Sequence, residues 1–183
     1  MLLTGLLPDI TSDPAIETAT DSLEVGRSGT IVAPVGIRPP LLAAVATRAA
    51  TPLVVLTATG RDAETLTNAL ASWIPGVAML PAWETLPHER LSPQVDTMAR
   101  RIAVLRRLVH PIAGDESAGP ISVLVVPIRA FLQPIISGLA DLEPVRVRTG
   151  DILDLTETTN RLAELGYERV DMVEGRGQMS VRG

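Results

Sequence analysis

The sequence predicts an α/β fold: a largely parallel sheet with flanking helices on both faces, followed by part of a small α+β unit. Three observations predict it. Four short apolar runs, TIVA at 30–33, LVVLT at 53–57, VAML at 77–80 and ISVLVV at 121–126, have the length and β-branched content of strands buried on both faces. Helical patterns separate them, the alternation that right-handed βαβ crossovers produce. Aromatic residues make up 2% of a chain that is 46% hydrophobic, so Ala, Val, Leu and Ile must fill the core. The length of 183 residues suits one ordinary domain, or one domain and part of a second.

The first strand, 30–33, leads through the loop PVGIRPP to an alanine-rich helix over residues 41–50. The second strand is followed by TGRD, where Thr59 takes the N-cap position and the Asp62 carboxylate meets unpaired N–H groups of the first turn. On that helix Ala63, Leu66, Leu70 and Trp73 recur at helical spacing and form one buried stripe. Pro75 and Gly76 end it before the third strand. A long helix then starts with Ser92 as N-cap and Pro93 at its first position. Its apolar stripe is Val95, Met98, Ile102, Leu105 and Val109, with Arg100 and Arg107 on the far side and Arg101 and Arg106 flanking the stripe. AGDESAGP at 113–120 is a polar surface loop. The fourth strand runs into a helix over 128–137.

The rhythm changes near 138–143, which divides the chain into units of residues 1–139 and 140–183. In the second, PVRVR at 144–148 alternates and residues 156–165 are helical. ERVDMVEGRGQMSVRG reads as two strands around a turn at Gly175 to Gly177. A strand is still in progress at Gly183, so the expectation is a small unit cut short at its C-terminus.

Composition removes several kinds of chemistry. The net charge of −5 argues against a dedicated nucleic-acid binder, which needs a concentrated positive surface. Every basic residue is Arg, so neither Schiff-base chemistry nor a phosphate-gripping P-loop lysine is available. Without Cys there are no disulfides, thiol nucleophiles or thiolate metal sites. The N-terminus lacks the basic flank of a signal peptide, and the apolar region 41–59 is interrupted by Arg48 and Pro52. A cytoplasmic protein with no membrane partner is expected.

Three constellations could carry function. The loop after the first strand occupies the place of a phosphate cradle, but it offers one glycine, Gly36, two prolines and no lysine. In WETLPHERLSP, Glu84, His88, Glu89 and Arg90 are capable of acid-base work. Ser92 stands where an HExxH motif needs its second histidine, and no nucleophile accompanies the group, so packing of Trp83 against the sheet is the favoured role. The last cluster is Arg169, Asp171, Glu174, Arg176 and Arg182. Alternation places Arg169, Asp171 and Val173 on one face, and a second strand would bring Arg182 near them. Guanidinium groups on a rigid sheet are suited to protein interfaces, because they desolvate readily and bind carboxylates bidentately.

Taken in order, LPAWETLPHERLSPQVDTMARRIAVLRRL, ISVLVVPIRAFLQP and LAELGYERVDMVEGRGQMSVRG resemble the N-terminal, UvrB-like region of the bacterial transcription-repair coupling factors (Mfd). The match runs from about Leu53 to Gly183. That resemblance implies a helicase-like, degenerate P-loop fold in the first unit and a small UvrA-binding domain in the second. It also implies a non-catalytic role in nucleotide excision repair, recruiting UvrA to stalled RNA polymerase. By motif the implied UvrA contacts are Arg169 and Arg182, with Asp171 beside them and Arg176 in the turn. Ser180 stands where related sequences often have another Arg. The family's ATP- and Mg-dependent motor and its RNA polymerase and DNA contacts lie elsewhere in its chain, so no cofactor is expected here. The resemblance further implies that other domains of the same protein mask this surface until activation. Two competing readings remain: a small nucleotide-binding or hydrolase-like enzyme using Glu84, His88 and the loop at Gly36, and direct DNA binding through Arg100, Arg101, Arg106 and Arg107, for which a solvated face is the favoured alternative.

Overall fold

The computed structural model describes residues 3–21, 28–85 and 93–182. Its centre is a three-stranded parallel sheet of β1 (Leu53–Thr57), β2 (Val77–Met79) and β3 (Val123–Pro127), in the order β1-β3-β2. Both ladders start in line, with Leu53 and Val77 each opposite Val123. All five residues of β3 are buried, which is why ISVLVV carries no polar alternation.

Two clusters sandwich this strand. Val123 and Val125 face Leu7, Ala43, Ala63, Leu70 and Ile74, contributed by α1 (Leu7–Thr11), α3 (Arg38–Arg48), α4 (Gly60–Leu70) and the turn after α4. A further helix, α2 (Pro14–Asp21), lies between α1 and α3 in the chain. On the opposite face Leu124 and Val126 pack with Ala78 of β2, Leu80 and Ile121 from the ends of the strands, Val104 of α5 (Val95–Val109) and Ala130 of α6 (Ile128–Phe131). The second layer stops short of β1, whose Val54 and Leu56 stay about half exposed on that face. Among the described residues no helix is long and apolar enough to cross a membrane.

The expected cap residue and buried stripe of α4 are found, but the helix ends at Leu70 rather than at Pro75, so Trp73 lies in the turn after it. Thr59 Oγ1 accepts from the Asp62 N–H at 3.1 Å and donates to the Asp62 carboxylate at 2.8 Å, so Thr59 caps the helix and Asp62 holds its hydroxyl in place. Ala63 and Leu70 are fully buried, and Leu66 and Trp73 pack against the same cluster.

Four further expectations are corrected. Residues 30–33 form no strand: Val32 is 95% exposed and has no neighbouring ladder among the described residues. The helix after β3 ends at Phe131 rather than 137, because Pro134 has no N–H to donate and disfavours helical geometry at the residue before it. Helix α5 starts at Val95 with Gln94 as N-cap, so Pro93 precedes it; Ser92 lies outside the described residues. Its buried face is Thr97, Arg101, Val104 and Leu105, turned by roughly 90° from the predicted stripe at 100° per residue. Val95, Met98 and Val109 remain exposed.

The loop 113–120 is more ordered than its composition implies. Asp115 Oδ1 accepts from the Ser117 N–H at 2.8 Å, the Ser117 hydroxyl at 2.8 Å and the Ala118 N–H at 2.9 Å. The backbone bond from Ala118 and the two from Ser117 hold the Asp115 carboxyl below the usual aspartate range, with Arg146 adding to them against a small opposing effect of burial.

Because the folded pKa is lowered, the loop is stabilised at pH values above the unfolded carboxyl pKa, and this is lost as pH falls through the folded one. An acid titration followed at the Ser117 and Ala118 amides should show a midpoint below that of an unfolded Asp peptide. Gly76 has φ +74°, and a Cβ there would meet Ser122 Oγ at 2.8 Å and the Pro120 carbonyl at 2.9 Å. Gly76→Ala should therefore destabilise by about 1–3 kcal/mol in urea unfolding, whereas Gly36→Ala, with open space around it, should stay within about 0.5 kcal/mol of the parent.

Candidate functional site

The chain beyond the sheet holds α7 (Leu155–Glu164), capped by the Asp154 carboxylate on the Glu157 N–H, and then β4 (Glu168–Arg169) and β5 (Gln178–Met179). The expected hairpin is corrected here: β4 and β5 run parallel, with Glu168 opposite Gln178 and Arg169 opposite Met179. A parallel return needs a wider loop than a hairpin turn. The Gln178 side chain shapes it, its carbonyl oxygen accepting from the Glu174 and Gly175 N–H groups at 2.9 and 3.0 Å.

This pairing still brings Arg169, Asp171 and Arg182 together. With Val170, Ser180 and Val181 they line one open depression of about 570 Å³. Arg182 Nη2 donates to the Asp171 carbonyl at 3.2 Å and the Ser180 hydroxyl donates to the same oxygen at 3.0 Å. Ser180 thus fixes the backbone that carries Asp171. The two arginines and the aspartate are all exposed, beside the buried Met179. The site can offer guanidinium donors and one carboxylate to a polar partner surface. Val173 and Glu174 do not line it, and Arg176 points elsewhere, its Nη1 lying 3.1 Å from Asp96 Oδ1.

The second constellation proves to be a joint between the sheet and α5. Arg101 is 1% exposed; its guanidinium lies 4.4 Å from the centre of the Trp83 ring and donates to the Pro81 carbonyl at 2.6 Å. Burial lowers its pKa. Trp83 is held at its backbone by Gln133, which accepts from its N–H at 2.8 Å and donates to its carbonyl at 3.3 Å. Arg129 donates to the Glu84 carbonyl at 3.0 Å and Thr97 donates to the Glu84 carboxylate. Burial alone would raise the Glu84 pKa, but the hydrogen bonds from Thr97 and the backbone of Glu84 and Gln94, with the charge of Arg129, bring it below the ordinary glutamate value. His88, Glu89 and Arg90 lie outside the described residues. The other histidine, His110, pairs with Asp141 at 2.7 Å on the surface.

The α5 arginines are engaged within the chain. Arg100 pairs with Asp96 at 2.7 Å, Arg106 donates to the Leu142 carbonyl at 3.0 Å, and Arg107 donates to the Gly119 carbonyl at 2.8 Å. Sequence reasoning placed Arg101 beside the apolar stripe and overlooked Asp96 and Gln133. For Arg101 the available signal was Trp83 upstream, since a buried guanidinium needs an aromatic face or an acceptor.

Residues 145–183 match the UvrB interaction domain. The arginine-bearing unit is thereby placed in the class of interaction domains. Over 156 residues the chain is 47% identical to the transcription-repair-coupling factor of Mycobacterium tuberculosis (strain CDC 1551 / Oshkosh), a match covering 84% of this chain and 12% of that protein. It is 27% identical over 145 residues to the factor of Escherichia coli (strain K12), covering 78% and 12%, and 32% identical over 111 residues to that of Myxococcus xanthus, covering 60% and 9%. The resemblance to the transcription-repair coupling factors is thus borne out, and the chain spans 12% of the length of the first of these relatives.

Arg101→Ala should destabilise by about 2–4 kcal/mol, since it leaves a cavity and an unpaired Pro81 carbonyl. In a double-mutant cycle with Trp83→Leu, the coupling energy from urea melts should be about 0.5–2 kcal/mol. A coupling near zero would show that the stacked geometry contributes nothing.

Proposed function

We propose that this chain is a non-catalytic protein-interaction region of a transcription-repair coupling factor, which recruits UvrA of nucleotide excision repair to stalled RNA polymerase. The observation that carries this reading is that Arg169, Asp171 and Arg182 line one depression within the segment matching the UvrB interaction domain. In this reading residues 1–139 form a helicase-like unit that has lost its phosphate cradle, as the single Gly36 and the missing lysine in PVGIRPP favour. Residues 140–183 form the unit that meets UvrA. The motor, its ATP and Mg, and the contacts to polymerase and DNA belong to other parts of the parent protein.

The chemistry is recognition of an acidic or carbonyl-rich surface. Two exposed guanidiniums on either side of Asp171 give five donors each in a fixed fork, and one of them is already oriented by the Asp171 carbonyl. Asp171 supplies an acceptor that selects a partner presenting a cation or N–H groups between its own acids. Direct DNA binding through α5 is disfavoured, because Arg100, Arg101, Arg106 and Arg107 all hold partners within the chain.

Titration of this chain with purified UvrA should give saturable binding that Arg169→Ala and Arg182→Ala each weaken by about tenfold or more. Arg61→Ala, on the exposed side of α4, should leave it unchanged. Equal affinity across all four proteins would sink the assignment of the site.

A further inference from the structure

The loop that carries the arginine surface is fastened to the first turn of α5, and this contact is separate from the depression itself. Asp96 accepts two guanidiniums: Arg100 Nε at 2.7 Å from one turn along its own helix, and Arg176 Nη1 at 3.1 Å from the loop. Next to Arg176 the chain descends onto α5 at Gly177, where φ is +80° and a Cβ would lie 2.7 Å from Val95 Cγ1. The Gly177 carbonyl in turn accepts from the Glu168 N–H at 2.8 Å, the bond that opens the β4–β5 pairing beside Arg169. One residue therefore faces α5 on one side and the candidate site on the other.

We propose that Asp96 is a positioning residue for this surface: through Arg176 it latches the loop 170–177 to α5 and so sets the geometry of Arg169 and Arg182. The part that concerns binding rests on the UvrA reading above. An exposed ion pair on two free side chains contributes little, because both must be ordered to form it. Here Arg100 already fixes the Asp96 carboxylate within the helix, so only the Arg176 side chain has to be ordered. The seat of Gly177 on Val95 brings the two partners together without a further loop closure. The two-residue β4–β5 ladder is too short to be rigid alone, and a contact one residue away from it has leverage over its geometry.

The test is a double-mutant cycle of Asp96→Asn and Arg176→Gln with two readouts. Hydrogen exchange at the Glu168 and Val170 amides should quicken about threefold in either single variant and no further in the double, while β3 amides stay as in the parent. Affinity for purified UvrA should fall about threefold in each single variant, again without addition in the double. Unchanged exchange at Glu168 and Val170 overturns the latch. So does a loss of affinity in Arg176→Gln that Asp96→Asn does not share, since that marks Arg176 as a direct contact. If the parent chain does not bind UvrA at all, the partner reading fails, and the exchange cycle alone decides whether Asp96 holds the loop.

Discussion

A guanidinium that is almost wholly removed from solvent has to be met by acceptors or by a π face, and in this chain that requirement organises the space between sheet and α5. Arg101 draws the chain leaving β2 back over itself, placing Pro81 and Trp83 against the helix. Gln133 and Arg129 then hold the same segment from the β3 side. The orientation of α5 follows, and with it everything α5 carries: Asp96 at its start, Arg106 near its end, and His110 just beyond, opposite Asp141. Were Arg101 turned to solvent, the apolar stripe of Val95, Met98 and Val109 could face the sheet instead, and the contacts to residues 140–142 and to Arg176 would lose their common base.

Helix α5 thus serves two neighbours with one set of side chains. Its inner face closes the second cluster around β3 through Val104, and its two ends reach the chain that leads to and forms the β4–β5 pair. A surface built on a two-residue ladder gains definition from such an arrangement, since the ladder itself fixes few torsions. Rigidity is supplied by a longer element that the sheet already immobilises.

What could be read in the sequence was what repeats or what is local. The runs LVVLT, VAML and ISVLVV declared their strands because they are short, apolar and, in β1 and β3, rich in β-branched residues, although only β3 is buried along its whole length, and Thr59 with Asp62 declared a cap because both partners lie within one turn. The face of α5 was not legible: hydropathy counts Arg101 as solvent-facing, and only a tertiary acceptor at Pro81 and a ring at Trp83 reverse that. Residues 30–33 carry the composition of a strand without a neighbour to pair with among the described residues. At the site, the grouping of Arg169, Asp171 and Arg182 was visible as alternation, whereas the parallel sense of β4 and β5 goes with a wide loop whose Glu174 and Gly175 N–H groups bond the Gln178 side chain, a contact that alternation does not reveal. Arg176 looked equivalent to the other arginines because its partner lies eighty residues upstream.

The sheet order has a consequence for how the chain comes together during synthesis. β1 and β2 are neighbours in sequence but not in the sheet; among the described residues each pairs only with β3. Until residues 123–127 have left the ribosome, neither strand has its partner, and α4 between them lacks the central strand it packs on. The nascent chain therefore holds β1 and β2 unpaired until then, and the sheet and the cluster on its α5 face form in one late step when β3 arrives. Slower translation just before β3 would lengthen the interval in which β1 and β2 expose unpaired edges, a vulnerability that no contact in the finished fold records.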